Sequence, residues 1–260
     1  MKKKTIGICG YGYVGKAMHD LFKNHYNVEI YDPAIKNSYP FEEVDVAFVC
    51  VPTPPDEDGF ADTSYVEESV AWIKADLIIV KSTIPIGTTD WLTDKFRKNI
   101  VFSPEYCGES KYWTPYPFHT DVVETPFFTF GGHPDLTAQA IDLFLPVTGP
   151  TKRYLQATAE EAEMAKYMEN SFYAMKIAFC NEVYSICKAK EVDWHSVREL
   201  WLADPRINPM HTAVFADNRG FSGKCLPKDL KEFTAMADTC GVNPILLNAI
   251  EQSNEQSKEE

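Results

Sequence analysis

Cys225 stands in the run Gly220-Phe-Ser-Gly-Lys-Cys-Leu-Pro-Lys-Asp229, where glycines precede the thiol and a carboxylate follows four residues on. The run reaches Asp229 at the expected start of a helix, a setting in which the helix dipole and nearby lysines lower a thiol pKa. A thiolate with an acid or base nearby is the minimum for covalent carbonyl chemistry. Lys166 and Asn170 lie one turn apart in an uninterrupted helical pattern, where they supply a charge and an amide to one face; the alternative is an ordinary solvated pair. Glu105 and Glu109 place two carboxylates four residues apart in Ser103-Pro-Glu-Tyr-Cys-Gly-Glu. Thr53 and Ser82-Thr83 follow two expected strands, and ligands bind beyond the carboxyl ends of strands in open α/β sheets. Capping remains the other use of such hydroxyls, and it is the favoured one for Thr88.

At the other end of the chain, Gly10-Tyr11-Gly12-Tyr13-Val14-Gly15 follows the first expected strand and opens the first expected helix. That is the context in which G-x-G-x-x-G admits a dinucleotide pyrophosphate to a helix N-terminus. Asp32 ends the next strand 22 residues after Gly10, where a carboxylate accepts hydrogen bonds from a ribose and disfavours a 2′-phosphate, pointing to NAD. The other reading of Asp32 is a turn cap before Pro33.

These groups need a scaffold. Apolar runs predict strands at Thr5–Cys9, Val28–Tyr31, Val44–Val51, Leu77–Val80, Ile100–Phe102 and Phe127–Phe130. Helical patterns predict Tyr13–Asn24, Ser64–Lys74, Thr88–Lys98 and Pro134–Phe144 between them. Alternation of this kind predicts an α/β fold, a Rossmann-type doubly wound parallel sheet. From Thr158 to Lys190 there is neither Gly nor Pro, which predicts one long central helix, followed by a small helical domain with helices near Trp194–Leu202, Lys228–Thr239 and Pro244–Lys258. The expected division is a cofactor domain over 1–155 and a helical domain over 156–260.

Composition narrows the function. Against 25 Lys and Arg stand 38 Asp and Glu, a formal charge of −13, so a general electrostatic hold on nucleic acid or an anionic membrane is not expected. No apolar run approaches a membrane span of about 20 residues. The cysteines at 9, 50, 107, 180, 187, 225 and 240 lack paired spacing, which fits a reducing cytoplasm and mostly small buried hydrophobes. The six histidines show no metal-ligand spacing, so no metal is expected.

GYGYVG, Asp32, VPTP, KSTIPIGTT, SPEYCGESK, the Lys166 and Asn170 pair, Asn181-Glu182, DPRI and GFSGKCLPKD occur in this order over nearly the whole chain. In this the chain resembles the UDP-glucose/GDP-mannose 6-dehydrogenases, most closely the bacterial UDP-glucose branch. The resemblance implies oxidation of the C6 alcohol of a nucleotide sugar, with UDP-glucose to UDP-glucuronate favoured, by two hydride transfers to NAD through a thiohemiacetal and thioester on Cys225. It further implies that Lys166 and Asn170 stabilise the reacting oxygen and that Asp229 assists proton removal, directly or through a water positioned by Thr83. Glu105 becomes the acid/base group for hydrolysis. Gly10 to Gly15, Asp32, Thr53, Thr83 and Glu109 would adjoin the cofactor. Glu105, Lys166, Asn170, Phe221 and Gly223 would adjoin the sugar and diphosphate, and Arg206 would reach a partner subunit's substrate. A cytoplasmic homodimer, built through the helix around 158–190 and serving nucleotide-sugar metabolism and polysaccharide biosynthesis, completes the expectation.

Two departures accompany the resemblance. The family pattern has glycine where this chain has Ser222, so a strained φ or a crowded backbone is expected there. The family also continues into a further, UDP-binding domain, whereas this sequence stops after Ile250-Glu-Gln-Ser-Asn-Glu255, so that domain is expected to be lacking. Competing readings are a one-step β-hydroxyacid dehydrogenase of the 6-phosphogluconate type, which leaves Cys225 without a task, and a non-catalytic NAD-binding module.

Overall fold

Apolar runs with no helical period become six of the seven strands within the residues described, 3–56, 60–107, 116 and 121–259, of a computed structural model. The chain packs as two units, one of Met1–Pro54 with Asp62–Lys166 and one of Pro55–Ala61 with Tyr167–Glu260.

The first unit holds one sheet built from β1 (Thr5–Cys9), β2 (Asn27–Tyr31), β3 (Val44–Val49), β4 (Ala75–Val80), β5 (Ile100–Phe102), β6 (Phe127–Gly131) and β7 (Arg153–Ala157). Their spatial order is β2-β1-β3-β4-β5-β6-β7. Strands β1 to β5 are mutually parallel. Successive residues alternate between two cores: Val46 and Phe48 join Phe22 and Phe144 on one face, and Ala47 and Val49 join Val66, Val70 and Leu92 on the other. Burial on both faces explains why these strands read as continuous apolar runs. Helices α1 (Tyr13–Phe22), α2 (Ser64–Trp72), α3 (Thr88–Phe96) and α4 (Pro134–Thr148) connect them.

The sheet is mostly, not wholly, parallel. β6 runs antiparallel to β5, with Phe102 opposite Gly131, and β7 is parallel to β6. Among the described residues only a 3₁₀ turn at Val122–Glu124 separates β5 from β6, and a parallel return would need a helical crossover. β6 and β7 have such a crossover in α4. Sequence reasoning missed β7 because Arg153-Tyr-Leu-Gln-Ala is an edge strand with three exposed residues and no clean alternation. Several helices also end one or two residues before their apolar pattern does.

Helix α5 (Ala159–Ala189) starts with a reciprocal cap: the Thr158 N–H donates to Glu161 and the Glu161 N–H donates to Thr158 Oγ1. Its residues through Lys166 belong to the first unit. The second unit contains the rest of α5 with α6 (Trp194–Leu202), α7 (Leu226–Thr239) and α8 (Ile245–Glu259). One core joins Ala174 and Ala178 to Phe221, Leu230 and Ile250. A second joins Cys180 and Cys187 to Trp194 and Val214.

Candidate active site

Strand order reverses between β1 and β3, so the loops leaving them flank a switch point at the carboxyl ends of the sheet. The β1 loop is the glycine turn. Gly10 has φ +89°, and a Cβ there would lie 2.6 Å from the Cys50 carbonyl oxygen; one on Gly15 would lie 2.0 Å from the Gly10 carbonyl oxygen. A Cβ on Gly12 would meet nothing within 4 Å. Two glycines therefore permit close packing and the middle one faces open space. Helix α1 begins at Tyr13 without a side-chain cap and without an acid in its first turn. Its N–H groups suit a diphosphate. One Asp32 oxygen accepts from the Tyr11 N–H at 2.7 Å and the other from the Ala34 N–H at 2.8 Å, so Asp32 both supports the turn and caps the Pro33 bend. Each oxygen keeps a lone pair for a ribose hydroxyl.

Hydroxyls knit the next loops together. Thr53 Oγ1 donates to the Thr83 carbonyl at 2.8 Å, and Ser82 Oγ donates to the Val51 carbonyl at 2.7 Å. Lys81, buried at the end of β4, lies 3.3 Å from Glu105 and reaches the Pro104 carbonyl and Ser103 Oγ. Glu105 also accepts the N–H groups of Tyr106 and Cys107. Burial pushes its pKa upward, yet Lys81 and these N–H groups outweigh burial and hold it below the ordinary value. It is a carboxylate at neutral pH, able to take a proton rather than give one. The buried Lys166 ammonium lies 4.9 Å from the Tyr106 ring centroid. Three residues before Lys166 on α5, buried Glu163 accepts the N–H groups of Gly87 and Thr89 and the Thr89 hydroxyl at the start of α3. Burial raises it to about 7 against those bonds.

In the second unit Cys225 is the exposed residue preceding α7, and Asp229 is buried one turn along that helix. Asn170 Nδ2 donates to Asp229 Oδ2 at 2.5 Å, and Lys228 Nζ lies 2.6 Å from Asp229 Oδ1. Four other thiols are poor candidates for chemistry: burial raises Cys9 and Cys180 to about 11, and Cys50 and Cys107 further. Arg206 is exposed and paired with Asp204 in its own loop. Phe221 lies in the core, its N–H and carbonyl both bonded to Asn254. Gly223 has φ +93° with open space at its Cβ position.

Residues 16–132 match the model of the UDP-glucose/GDP-mannose dehydrogenase family, NAD binding domain, and residues 160–256 match that of its central domain. The chain belongs to this family. It is 30% identical over 235 residues to the UDP-glucose 6-dehydrogenase of Pseudomonas aeruginosa, covering 84% of this chain and 50% of that protein. The UDP-glucose 6-dehydrogenase of Campylobacter jejuni is 31% identical over 234 residues, 86% of this chain and 56% of that protein. The chain thus spans about half the length of these curated relatives. A UDP-glucose dehydrogenase structure from Pyrobaculum islandicum aligns at 24% identity with TM-score 0.80, over 98% of this chain and 68% of that one, which shows the shared fold.

Of the expected site residues, the sheet unit contains Gly10 to Gly15, Asp32, Thr53, Thr83, Glu105 and Lys166, and the helical unit contains Asn170, Arg206, Phe221, Gly223, Cys225 and Asp229. Glu109 lies outside the described residues. Two expectations need adjustment. The Phe221 ring packs in the core rather than standing open to a ligand, and only the exposed backbone beyond it remains for that purpose. Ser222 is not among the residues with positive φ and is exposed, so the strain expected of a serine there is not found. Lys81 was overlooked, although an ammonium directly after the apolar run Leu-Ile-Ile-Val signals a buried charge that needs a partner.

Proposed function

We propose that this chain provides the cofactor and nucleophile portions of an NAD-dependent nucleotide-sugar 6-dehydrogenase, with UDP-glucose the favoured substrate. The observation that carries this reading is the exposed Cys225 immediately ahead of α7 with buried Asp229 one turn along it, bonded to Asn170. A one-step hydroxyacid dehydrogenase has no use for such a thiol.

The glycine turn, the uncapped start of α1 and Asp32 suit a dinucleotide, and Thr53 and Thr83 complete that wall. NAD⁺ supplies the acceptor for the hydride lost at C6 in each of two oxidations. Asp229 takes the C6 hydroxyl proton, directly or through a water held by Thr83, and Lys166 and Asn170 stabilise the oxygen as negative charge grows. The Cys225 sulfur then bonds to C6 of the aldehyde while its proton passes to the carbonyl oxygen, giving a thiohemiacetal. Loss of that hydroxyl proton accompanies the second oxidation and leaves a thioester. Ionised Glu105 takes a proton from water as it attacks, the carbon–sulfur bond breaks, and the uronic acid departs.

The remaining parts of the reading concern assembly. We assign 1–155 to cofactor binding and 156–260 to the helical domain. Met168, Phe172, Phe179 and Ile186 are large, exposed and aligned on α5, a stripe suited to the same helix of a second copy. Homodimerisation would bring exposed Arg206 to a partner's substrate phosphate or carboxylate, a role that suits a guanidinium. Phe172→Glu should halve the mass found by sedimentation if the stripe is the interface. A cytoplasmic setting agrees with the thiol-rich composition.

The test is NADH release across UDP-glucose, UDP-N-acetyl sugars and GDP-mannose. Two NADH per uronic acid, with Cys225→Ser stopping before the acid, is the expected result. One NADH per turnover with Cys225→Ser fully active would establish the one-step chemistry instead. Cofactor binding with no NADH from any sugar would mark a non-catalytic module.

A further inference from the structure

The three residues that lead into the nucleophile segment are held by an unusual concentration of polar contacts, all within the helical unit. Asn181 on α5 accepts from Arg219 Nε at 2.8 Å and from the Gly220 N–H at 3.1 Å. Arg219 also donates to the Asn181 carbonyl and to Ser185 Oγ, and its guanidinium lies 4.6 Å from the Tyr184 ring centroid. From α8, Asn254 Oδ1 accepts the Phe221 N–H at 2.6 Å while its Nδ2 donates to the Phe221 carbonyl at 3.1 Å. Both asparagines are buried. Gly220 takes φ +74°, and a Cβ there would lie 2.5 Å from Asn254 Oδ1, so the missing side chain is what admits the amide.

Immediately after this clamp, Ser222, Gly223, Lys224 and Cys225 are exposed. The segment is next restrained at α7, where the Asp229 N–H donates to the Cys225 carbonyl. The thiol is therefore located by two supports, the amide clamp four residues before it and the helix that it opens. A clamp made only for stability would gain as much from apolar packing, and Phe221 already provides that packing. Amide contacts to the backbone on both edges of one residue instead fix its position and direction, which is what a nucleophile needs.

We infer that Asn181 and Asn254 are positioning residues for Cys225, holding the nucleophile segment where the thiol reaches the aldehyde. This rests on the proposed two-step reaction. The first oxidation does not involve sulfur, so loosening the clamp should spare it and impair the steps that follow.

The experiment uses the full-length protein with UDP-glucose, counting NADH per sugar consumed and weighing the sugar adduct on Cys225 by intact mass spectrometry after rapid quenching. In Asn254→Ala and Asn181→Leu the first oxidation should stay within about threefold, while the Cys225-dependent step slows by about 100-fold, the order expected for a small misplacement of a reacting group. Stoichiometry should fall from two NADH toward one, with aldehyde released and the adduct lost. Asn181→Asp keeps an acceptor facing Arg219 and Gly220 and should restore two. If Asn254→Ala does not fold, Asn254→Asp retains the acceptor for Phe221 N–H but loses the donor, and should show a smaller shift in the same direction. A purely structural role would lower both oxidations together and leave the ratio at two, which overturns the inference. Cys225→Ser separates the two levels of argument. If that variant still yields two NADH, the reaction reading itself fails; if it stops at one while the asparagine variants remain at two, only the positioning role fails.

Discussion

Glu105 in the sheet unit receives the N–H groups of Tyr106 and Cys107 and lies 3.3 Å from Lys81, whereas Asp229 in the helical unit receives the side-chain amide of Asn170 and lies 2.6 Å from Lys228. Both carboxylates are largely buried, and each has a lysine. They differ in who supplies the neutral donors. Backbone donors stay in place whatever side chains change around them, while an amide from another helix depends on one residue. Glu105 is thus built into the chain path after β5, and Asp229 is held in place through Asn170. The proposed roles match this difference, since Asp229 must exchange a proton beside an oxygen that Asn170 also serves.

Replacing Asp229 gives the largest expected effect. Asp229→Asn removes the proton acceptor while keeping the shape, and the first oxidation should slow by about 10²–10⁴-fold, the usual worth of general acid–base catalysis. Stopped-flow NADH absorbance measures it. A loss under tenfold would mean that Asp229 only braces Asn170, and the contrast between the two acids would collapse.

Lys81→Met tests the other acid by stability. It leaves a buried carboxylate without its cation, which costs about 3–5 kcal/mol when a partner in a buried pair is removed. Glu105 is held below its ordinary pKa in the folded protein, so its contribution is present above the unfolded value and disappears as pH falls through the folded one. The deficit of the variant in urea unfolding should therefore be full at pH 7 and shrink in the acid range. A difference below about 1 kcal/mol at pH 7 would show that the two N–H groups suffice without the lysine.

What the chain reveals in one dimension follows from the same distinction. The glycine turn, the helix bearing Lys166 and Asn170, and the segment around Cys225 are local patterns, and neighbouring residues carry their signal. Strands β1 and β3 to β5 were legible because burial on both faces makes uninterrupted apolar runs. The reversed direction of β6 and the polar edge strand β7 depend on distant pairing. So do the partnerships of Asn170 with Asp229, 59 residues apart, and of Asn254 with Phe221, 33 apart. Lys81 with Glu105 is closer in sequence, but its pairing depends on β4 lying beside β5.

Glu163 extends the comparison to a third buried acid, one with backbone donors but no cation among the groups that shift it. Its carboxyl is raised to about 7 from 4.5, and such a group stabilises fully below its unfolded pKa and loses that contribution as pH rises through the folded value. Over this window the parent should lose roughly 3 kcal/mol relative to Glu163→Gln, which has no proton to release. Denaturant melts at pH 4.5, 6 and 8 give the slope. A constant difference between the two proteins would mean that the Thr89 and Gly87 donors keep Glu163 ionised as they do Glu105.

The smallest expected effect lies at Ser222, where the two units' glycine-bearing turns can be set side by side. At Gly15 an added Cβ falls 2.0 Å from a backbone oxygen that cannot move aside cheaply, but residue 222 is exposed and outside the positive-φ region. Restoring the family residue with Ser222→Gly removes no native contact that the backbone needs and adds freedom to the unfolded chain, so it should destabilise by no more than about 1 kcal/mol. The NADH ratio should remain at two, because the Asn254 clamp lies on Phe221 and not on this residue. A large gain in the rate of the second oxidation would instead show that the serine side chain obstructs the sugar, and that the exposed stretch from Ser222 to Cys225 is matched to its ligand as closely as the turn after β1.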